Sequence, residues 1–176
     1  MAGLWTGAML AMAMWAFDDP PEHVAKWGRG AEGERLTAKE LRVLEREGWR
    51  IEHDHQKEHY NVDHIAIGPF RWFMIETKTS TGSVSIEDGL YTVRWPDDPE
   101  ATWTHKNLGR SMRQRAAELW NSAANDPDRK FVHAVVAIWA PFPEGLVHHD
   151  RVTYVHGSRL LAFLRDPDSI LQSGEL

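Results

Sequence analysis

The sequence predicts an α/β fold in which a mixed central β-sheet is flanked by helices. Three observations lead to this prediction: two long stretches with apolar residues at helical spacing, several short strand-like runs between them, and one uninterrupted apolar run near residue 135. Hydrophobic residues make up 42% of the 176 positions and charged residues 26%, which is ordinary for a globular protein. The length fits one domain with a short extension.

Periodicity and turn residues define the individual elements. Gly48 is placed to end the first helix, and Asp88-Gly89 is a strong signal for a tight hairpin turn. In chain order the predicted elements are a helix over 31–47, strands over 49–53, 61–67, 71–78, 83–86 and 90–94, a helix over 107–124, strands over 131–139 and 152–156, and a helix from Ser158 to Leu164. The predicted connectors and loops are residues 20–30, 54–60 and 96–100. The predicted inner face of the second helix consists of Leu108, Met112, Ala116, Leu119 and Trp120.

Two of these strands bring acidic residues together. Folding 61–67 onto 71–78 about a turn at Gly68-Pro69 places Asp63 opposite Glu76 and Asn61 opposite Lys78. Alternate residues of a strand share a face, so Glu76 and Lys78 point to the same side, beside Asp63. Opposed carboxylates repel one another unless a cation lies between them. The arrangement predicts a divalent metal with Lys78 near a bound water; an ion pair at an exposed strand end is the simpler alternative.

An Asp on one strand followed by Glu-x-Lys on the next resembles the core of the PD-(D/E)xK nucleases. The wider motif set resembles the NERD (nuclease-related) domain over most of the chain, from about Trp27 to Leu164. The motifs that carry this resemblance are Gly30-Ala31-Glu32-Gly33-Glu34, Asn61-Val62-Asp63-His64, Ile67-Gly68-Pro69, Phe73-Met74-Ile75-Glu76-Thr77-Lys78 and a later helical Gln114. The resemblance implies a restriction-endonuclease-like fold and metal-dependent hydrolysis of DNA phosphodiester bonds.

The resemblance also implies a role for each residue of the site. The implied ligands of Mg²⁺, or of Mn²⁺, are Asp63, Glu76, the backbone carbonyl of Thr77 and, as an additional acidic residue, Glu34. Lys78 would orient or deprotonate the attacking water or stabilise developing charge, and Gln114 would contact the water, Lys78 or a phosphate. The simpler interpretations are a solvated glutamate in the first turn of a helix for Glu34 and an ordinary polar helix residue for Gln114.

Two further patterns indicate ligand binding. Lys106, Arg110 and Arg113 share one helix face at spacings of four and three, which predicts phosphate contacts or, alternatively, a plain solvated face. The histidines that could form a competing zinc site are His53, His55, His59 and His64. No H-E-x-x-H spacing occurs, and His64 is predicted to point away from the face that carries Asp63.

The N-terminal segment Met1–Phe17 contains no charged residue, and Asp18-Asp19-Pro20-Pro21 ends it. Its length is the lower limit for a bilayer span, so a membrane anchor and an apolar helix packed on the domain are both open. No cysteine is present, which excludes disulfides and thiolate metal sites and fits a reducing compartment. We expect a cytoplasmic protein, and if it associates with a membrane, we expect it to do so through this segment.

The sequence therefore predicts three regions: an N-terminal segment and connector over 1–26, a nuclease domain over 27–165 and a C-terminal tail over 166–176. The predicted function is metal-dependent hydrolysis of DNA; RNA as the substrate, and a homodimer that cuts both strands, are left open. The competing function is a catalytically weak nucleic-acid-binding or assembly module of the same fold, with a membrane tether left open. The formal net charge of −6 argues against a protein whose whole surface binds DNA.

Overall fold

The computed structural model describes residues 22–57 and 60–172, and the side chains within 30–57, 60–98 and 100–172. In chain order the elements are α1 Glu22–Arg46, β1 Arg50–Gln56, β2 Asn61–Ile67, β3 Trp72–Thr79, β4 Ser83–Glu87, β5 Leu90–Trp95, β6 Asp98–His105, α2 Leu108–Ser122, β7 Val132–Trp139, β8 Leu146–His149, β9 Val152–His156, a 3₁₀ turn Gly157–Arg159, α3 Leu160–Arg165 and α4 Pro167–Gln172. The predicted α/β fold, with a mixed sheet flanked by helices, is confirmed.

The main sheet has six strands in the order β1-β2-β3-β7-β9-β8. Strands β1, β2 and β3 are antiparallel neighbours, whereas β3, β7 and β9 run parallel and β8 returns antiparallel to β9. The apolar run that forms β7 is paired on both sides, as expected for a buried inner strand. A second, antiparallel sheet has the order β4-β5-β6. Its first turn, Asp88-Gly89, has positive φ at both residues, which a tight hairpin requires.

Along β3, and along β2 from Ile65 onward, buried side chains alternate between two clusters on opposite faces of the main sheet. One cluster is completed by α2 and the three-stranded sheet, and the other by α1 and α3. Ile65 and Met74 belong to the first cluster, so Asp63 and Glu76, two positions away on the same strands, lie on that face as well. His64 points to the opposite face, as predicted, and only 4% of it is exposed.

The structure corrects several predicted boundaries. Helix α1 begins at Glu22, so residues 22–30 are helical and not a connector, and β1 continues to Gln56 inside the predicted loop. Residues 98–105 form β6 where a loop over 96–100 was expected, and β8 was not predicted. Pairing with a neighbouring strand overrides local turn signals here: β6 pairs with β5 alone at the edge of its sheet, where a proline is tolerated.

The inner face of α2 is narrower than predicted. Its buried residues are Leu108, Gly109, Met112, Ala116 and Leu119. Trp120 was expected on this face but is 39% exposed, because it lies one position beyond Leu119 and therefore about a quarter turn around the helix. The prediction for Trp120 was wrong.

Within the described part of the chain, no helix has the length and apolar character needed to cross a membrane. The apolar segment Met1–Phe17 and His59 lie outside the described residues.

Candidate active site

Strands β2 and β3 pair in the predicted register. His64 pairs with Ile75, and Ile67 with Trp72. The regular ladder ends at His64, so the pairs expected for Asp63 and Asn61 are not part of it. Instead, the backbone N–H of Thr77 donates a hydrogen bond of 2.7 Å to Oδ2 of Asp63. The Asp63 side chain therefore bridges to β3 at the point where backbone pairing between the two strands stops.

Glu76 forms ion pairs with two cations. Nζ of Lys78 lies 2.6 Å from Oε1 of Glu76, and Nη1 of Arg115 lies 3.4 Å from Oε2. Lys78 and Glu76 share a face of β3, as predicted, while Arg115 comes from α2 and was not predicted. The ion pair of the simpler interpretation is thus present, but not at an exposed strand end, since the Glu76 side chain is only 16% exposed.

The surroundings of Asp63 disfavour the charged form of its carboxyl group. Burial, followed by the negative charge of Glu76, raises the pKa of Asp63 to about 6. The Thr77 N–H lowers this pKa and Glu34 raises it further, while the ammonium of Lys78 lowers it. The predicted repulsion between Asp63 and Glu76 is therefore present, and a bound cation would relieve it.

Glu34 approaches the same cluster from α1. Glu34 is exposed at its surface, and partial desolvation, followed by the charges of Asp54 and Glu76, raises its pKa. The preceding Gly33 allows the helix to come this close, because a Cβ at that position would lie 2.2 Å from Cγ2 of Thr79. The structure thus brings Glu34 within electrostatic range of the residues on β2 and β3.

Gln114 is not brought into this cluster by any described contact. It is exposed on α2, and its Nε2 lies 3.3 Å from Oε1 of Glu118, one helical turn further along. The adjacent Arg115 is the α2 side chain that reaches Glu76. The predicted role of Gln114 stays a prediction.

The three predicted phosphate-binding cations do not all share one helix face: Lys106 lies in the turn before α2, whereas Arg110 and Arg113 lie on a different side of α2 from Arg115. They border a pocket beside the β4–β5 turn, together with Gly89 and Tyr154. Two of them are exposed, whereas Arg113 forms an ion pair with Asp150 at 3.0 Å. The three residues are Lys106, Arg110 and Arg113. No described contact joins them to Asp63 or Glu76, and their role also stays a prediction.

Two residues of the cluster were missed by sequence reasoning. Arg115 lies three positions after Met112 and four before Leu119, so a charged residue on the apolar stripe of α2 was a usable signal. Its guanidinium lies 5.1 Å from the centre of the Tyr60 ring. His105 is near enough for Lys78 and Arg115 to lower its pKa, after the larger effect of burial. No signal identified His105, because β6 itself was not predicted.

The histidines of the zinc alternative are used in other contacts. Nδ1 of His53 lies 2.8 Å from Nδ1 of His64, and Nδ1 of His55 lies 3.0 Å from a carboxylate oxygen of Glu52. Among residues 22–57 and 60–172, no three His, Asp or Glu side chains converge on one point where a metal ion would be held. This finding applies to the histidines of the zinc alternative and equally to the carboxylates around Asp63 and Glu76.

The charge of the cluster fits a divalent cation. The charges of Asp54 and Glu76 act on Glu34, and those of Glu76 and Glu34 act on Asp63, while the cations Lys78 and Arg115 both pair with Glu76. Mg²⁺ requires only one or two protein carboxylates, because waters complete its octahedron. The donor set present is thus sufficient for this ion.

Comparison with known proteins gives one match. A family model described as the nuclease-related domain, NERD, matches residues 29–139, which is 111 of the 176 residues. The matched segment extends from α1 to the end of β7 and contains every residue of the cluster described above. No curated protein and no solved structure matches the chain.

Proposed function

We propose, since the chain belongs to the nuclease-related domain family, that it is a metal-dependent nuclease that hydrolyses DNA phosphodiester bonds. The observation that carries the proposal is the cluster on one face of the sheet: Asp63 and Glu76 are close enough to repel, and Lys78 lies 2.6 Å from Glu76. A protein that only binds nucleic acid gains nothing from two repelling carboxylates, whereas a hydrolase uses them to hold a cation.

The residues that would hold Mg²⁺ or Mn²⁺ are Asp63, Glu76 and the backbone carbonyl of Thr77, with Glu34 nearby. When bound, the ion would neutralise charge on the phosphate and make a bound water more acidic. The hydrogen bond from the Thr77 N–H supports this assignment, because it fixes the orientation of the Asp63 carboxylate through Oδ2.

Lys78 is the proposed general base or water-orienting residue. Its Nζ is tied to Oε1 of Glu76, so the same interaction that fixes the ammonium also keeps it beside the proposed ligand. From this position the amine can hold a water by hydrogen bonding and accept or donate a proton at Nζ.

Arg115 is proposed to bind a non-bridging phosphate oxygen. The planar guanidinium can form two parallel hydrogen bonds to a phosphate, and it lies between the ring of Tyr60 and Oε2 of Glu76. With Glu76 holding a cation, Nη1 of Arg115 would be available to a non-bridging oxygen of the phosphate.

The test is cleavage of circular, linear and single-stranded DNA in the presence of Mg²⁺, Mn²⁺ or EDTA. We expect metal-dependent cleavage that falls at least a hundredfold in Asp63→Ala and in Lys78→Ala. Lys39→Ala, at an exposed position of α1, is the control that should cleave like the wild type. Circular dichroism should show that all variants are folded.

Three outcomes would contradict or redirect the proposal. Wild-type protein that cleaves no form of DNA with either metal would contradict it. DNA binding that weakens steeply with salt, without cleavage, and that is lost when Lys106, Arg110 and Arg113 are neutralised would support the binding module instead. Cleavage of RNA in preference to DNA would keep the chemistry and change the substrate.

A further inference from the structure

The edge of the three-stranded sheet carries a tryptophan that is half exposed. The Trp103 ring lies in β6 and is 50% exposed. Its centre is 6.4 Å from that of Tyr91 and 5.6 Å from that of His105, and both contacts are edge-to-face. Tyr91 is only 2% exposed, so it anchors the tryptophan on the core side. Trp103 is therefore a fixed aromatic surface, held by two rings and open to solvent.

Strand pairing places this surface on the side of the molecule that holds the proposed active site. Trp103 pairs with Val93, and His105 pairs with Tyr91. Directly opposite residues share a face of a sheet. Val93 and Tyr91 belong to the core cluster that also contains Met74 of β3. Trp103 and His105 thus lie on the inner face of the small sheet, which packs against the face of the main sheet where the acidic cluster lies.

His105 connects the tryptophan with the proposed active site. Its imidazole contacts the Trp103 ring. It also lies close enough to Lys78, Glu76 and Arg115 for their charges to change its pKa. Lys78 and Arg115, which can bind a phosphate, therefore lie near His105, which in turn contacts the Trp103 ring. A nucleotide has a partner for each, because it carries a phosphate and a planar base.

The other exposed aromatic residues of the described chain do not share this position. Trp95 lies at the opposite end of β5, where it pairs with Asp98. Trp120 and Phe131 line a groove between α2 and β7, and Phe70 lies in the β2–β3 turn. Trp95 is 36% exposed in the same sheet and serves as a matched control.

We propose that Trp103, supported by His105, stacks on an unpaired base next to the phosphate that is cut, and that the protein therefore prefers single-stranded DNA or the unpaired part of a duplex. This inference rests on the proposed nuclease function. An aromatic ring stacks on a base only when that base has left the helical stack, and it accepts any base because each has a planar face. A preference for unpaired DNA without a strong sequence preference follows.

The experiment measures binding separately from cleavage. Fluorescence anisotropy in EDTA gives the Kd for a labelled single strand and for the blunt duplex of the same sequence, at one salt concentration. We expect tighter binding of the single strand, weakened about tenfold by Trp103→Ala and little by Trp103→Phe. Duplex binding should be the same in all three proteins. Trp95→Ala should leave both values unchanged.

A strand with abasic residues distinguishes stacking from other effects. Trp103→Ala should have no effect on the Kd of this strand, because no base is present to stack. Equal losses with normal and abasic strands, or no loss with the normal strand, would overturn the inference.

Cleavage in Mg²⁺ is then measured on the same DNAs. Binding with the expected Trp103 dependence but without cleavage contradicts the nuclease function alone. Cleavage of single strand and duplex at equal rates, unaffected by Trp103→Ala, contradicts the stacking inference alone.

Discussion

Asp63 is half-buried beside Glu76, and its pKa is raised to about 6 by burial and by that neighbouring charge. At neutral pH the ionised carboxylate therefore destabilises the metal-free protein. Asp63→Asn removes the charge and keeps an oxygen that can accept the hydrogen bond from the Thr77 N–H. We expect the variant to be inactive yet more stable than the wild type at about pH 8, by roughly 1–2 kcal/mol after solvent screening. Thermal unfolding in EDTA measures this difference.

The dependence on pH identifies the cause. Because the folded pKa is above the unfolded value of 3.8, the favourable contribution of Asp63 is complete below that value and is lost as the pH rises through about 6. The gap in Tm between Asp63→Asn and the wild type should therefore be small near pH 4 and open by about pH 7. A gap that does not change with pH would count against this explanation. Mg²⁺ should narrow it by stabilising the wild type alone.

Arg115 provides a second prediction for a single residue. Arg115→Gln should lower kcat/KM for DNA about a hundredfold, because the proposed phosphate contact is a charged hydrogen bond made at the reacting group. Arg115→Lys keeps the charge and should be intermediate. Arg42→Gln, at an exposed position of α1, is the control. Cleavage rates of Arg115→Gln equal to those of the control would remove Arg115 from the mechanism.

How much of the site could be predicted differs between its residues. Asp63, Glu76 and Lys78 could be placed on one face because a strand has a period of two and one short turn sets the register, which the structure confirms from His64 to Ile67. The contact between Arg115 and Glu76 was not predicted, since it depends on the distance between α2 and β3. That distance is set by tertiary packing of residues far apart in sequence.

At the scale of elements, α1 is positioned against the end of β3 by a close contact and a polar network. Oγ1 of Thr37 lies 2.9 Å from Oγ1 of Thr77 and accepts a hydrogen bond from Nε1 of Trp139 at 2.8 Å. Thr37 is 0% exposed, so these hydrogen bonds are made inside the core. One turn earlier, Gly33 packs on Thr79. Helix α1 is thereby fixed where Glu34 is near the cluster.

Gly33→Ala tests this packing. The added Cβ would meet Cγ2 of Thr79 at 2.2 Å, and Thr79 is a short, β-branched residue that has little room to turn. We expect a loss of about 1–3 kcal/mol in the free energy of unfolding, together with lower activity as Glu34 moves away. Urea unfolding and cleavage assays measure the two effects.

Gly30→Ala is the matched control for this helix. No atom lies within 4 Å of a Cβ built at Gly30, so the substitution should stabilise the protein by up to about 1 kcal/mol through helix propensity. The two alanine variants thus have opposite expected signs. A Gly33→Ala protein as stable as Gly30→Ala would show that the close contact does not constrain α1.

The strands show why elements were missed as well as found. The sequence predicted the observed bounds of two strands, Asn61–Ile67 and Val152–His156. Both are short apolar runs of strand length. Strand β6 was missed because Pro96 and Pro99 break the local pattern, although pairing of Thr92 with Thr104 and of Val93 with Trp103 holds it in the sheet. His105, at the end of β6, was therefore not predicted as part of the site.

At the scale of the whole molecule, the order of the main sheet could not be predicted. Strand β7 enters parallel to β3 after 52 residues that include the second sheet and α2, from Ser80 to Phe131. Local patterns carry no information about such a long crossover. The result is a sheet covered on both faces, with polar residues trapped in the interior, and His133 of β7 is one of them.

His133 makes global stability sensitive to acid. It is 5% exposed, its ring lies 5.6 Å from that of Phe163, and Nε2 lies 2.9 Å from Oγ1 of Thr153. Burial, and then the charge of His148, lower the pKa of His133 to about 4. The folded pKa is below the unfolded value of 6.5. The contribution of the neutral His133 to the free energy of unfolding is therefore complete above pH 6.5 and is lost as the pH falls towards 4.

We therefore expect the wild type to lose up to about 3 kcal/mol of stability from His133 between about pH 7 and pH 4. His133→Gln can keep a hydrogen bond to Thr153 but cannot take up the proton, so it should be less stable at neutral pH and lose less on acidification. His149→Gln, at an exposed position, should follow the wild type. Urea unfolding at several pH values compares the three proteins.

Asp63 acts in the opposite direction over the same pH range. The difference in stability between each variant and the wild type, rather than the wild-type curve, therefore isolates the contribution of His133. A variant curve parallel to the wild-type curve would show that the buried imidazole takes up its proton without unfolding the protein.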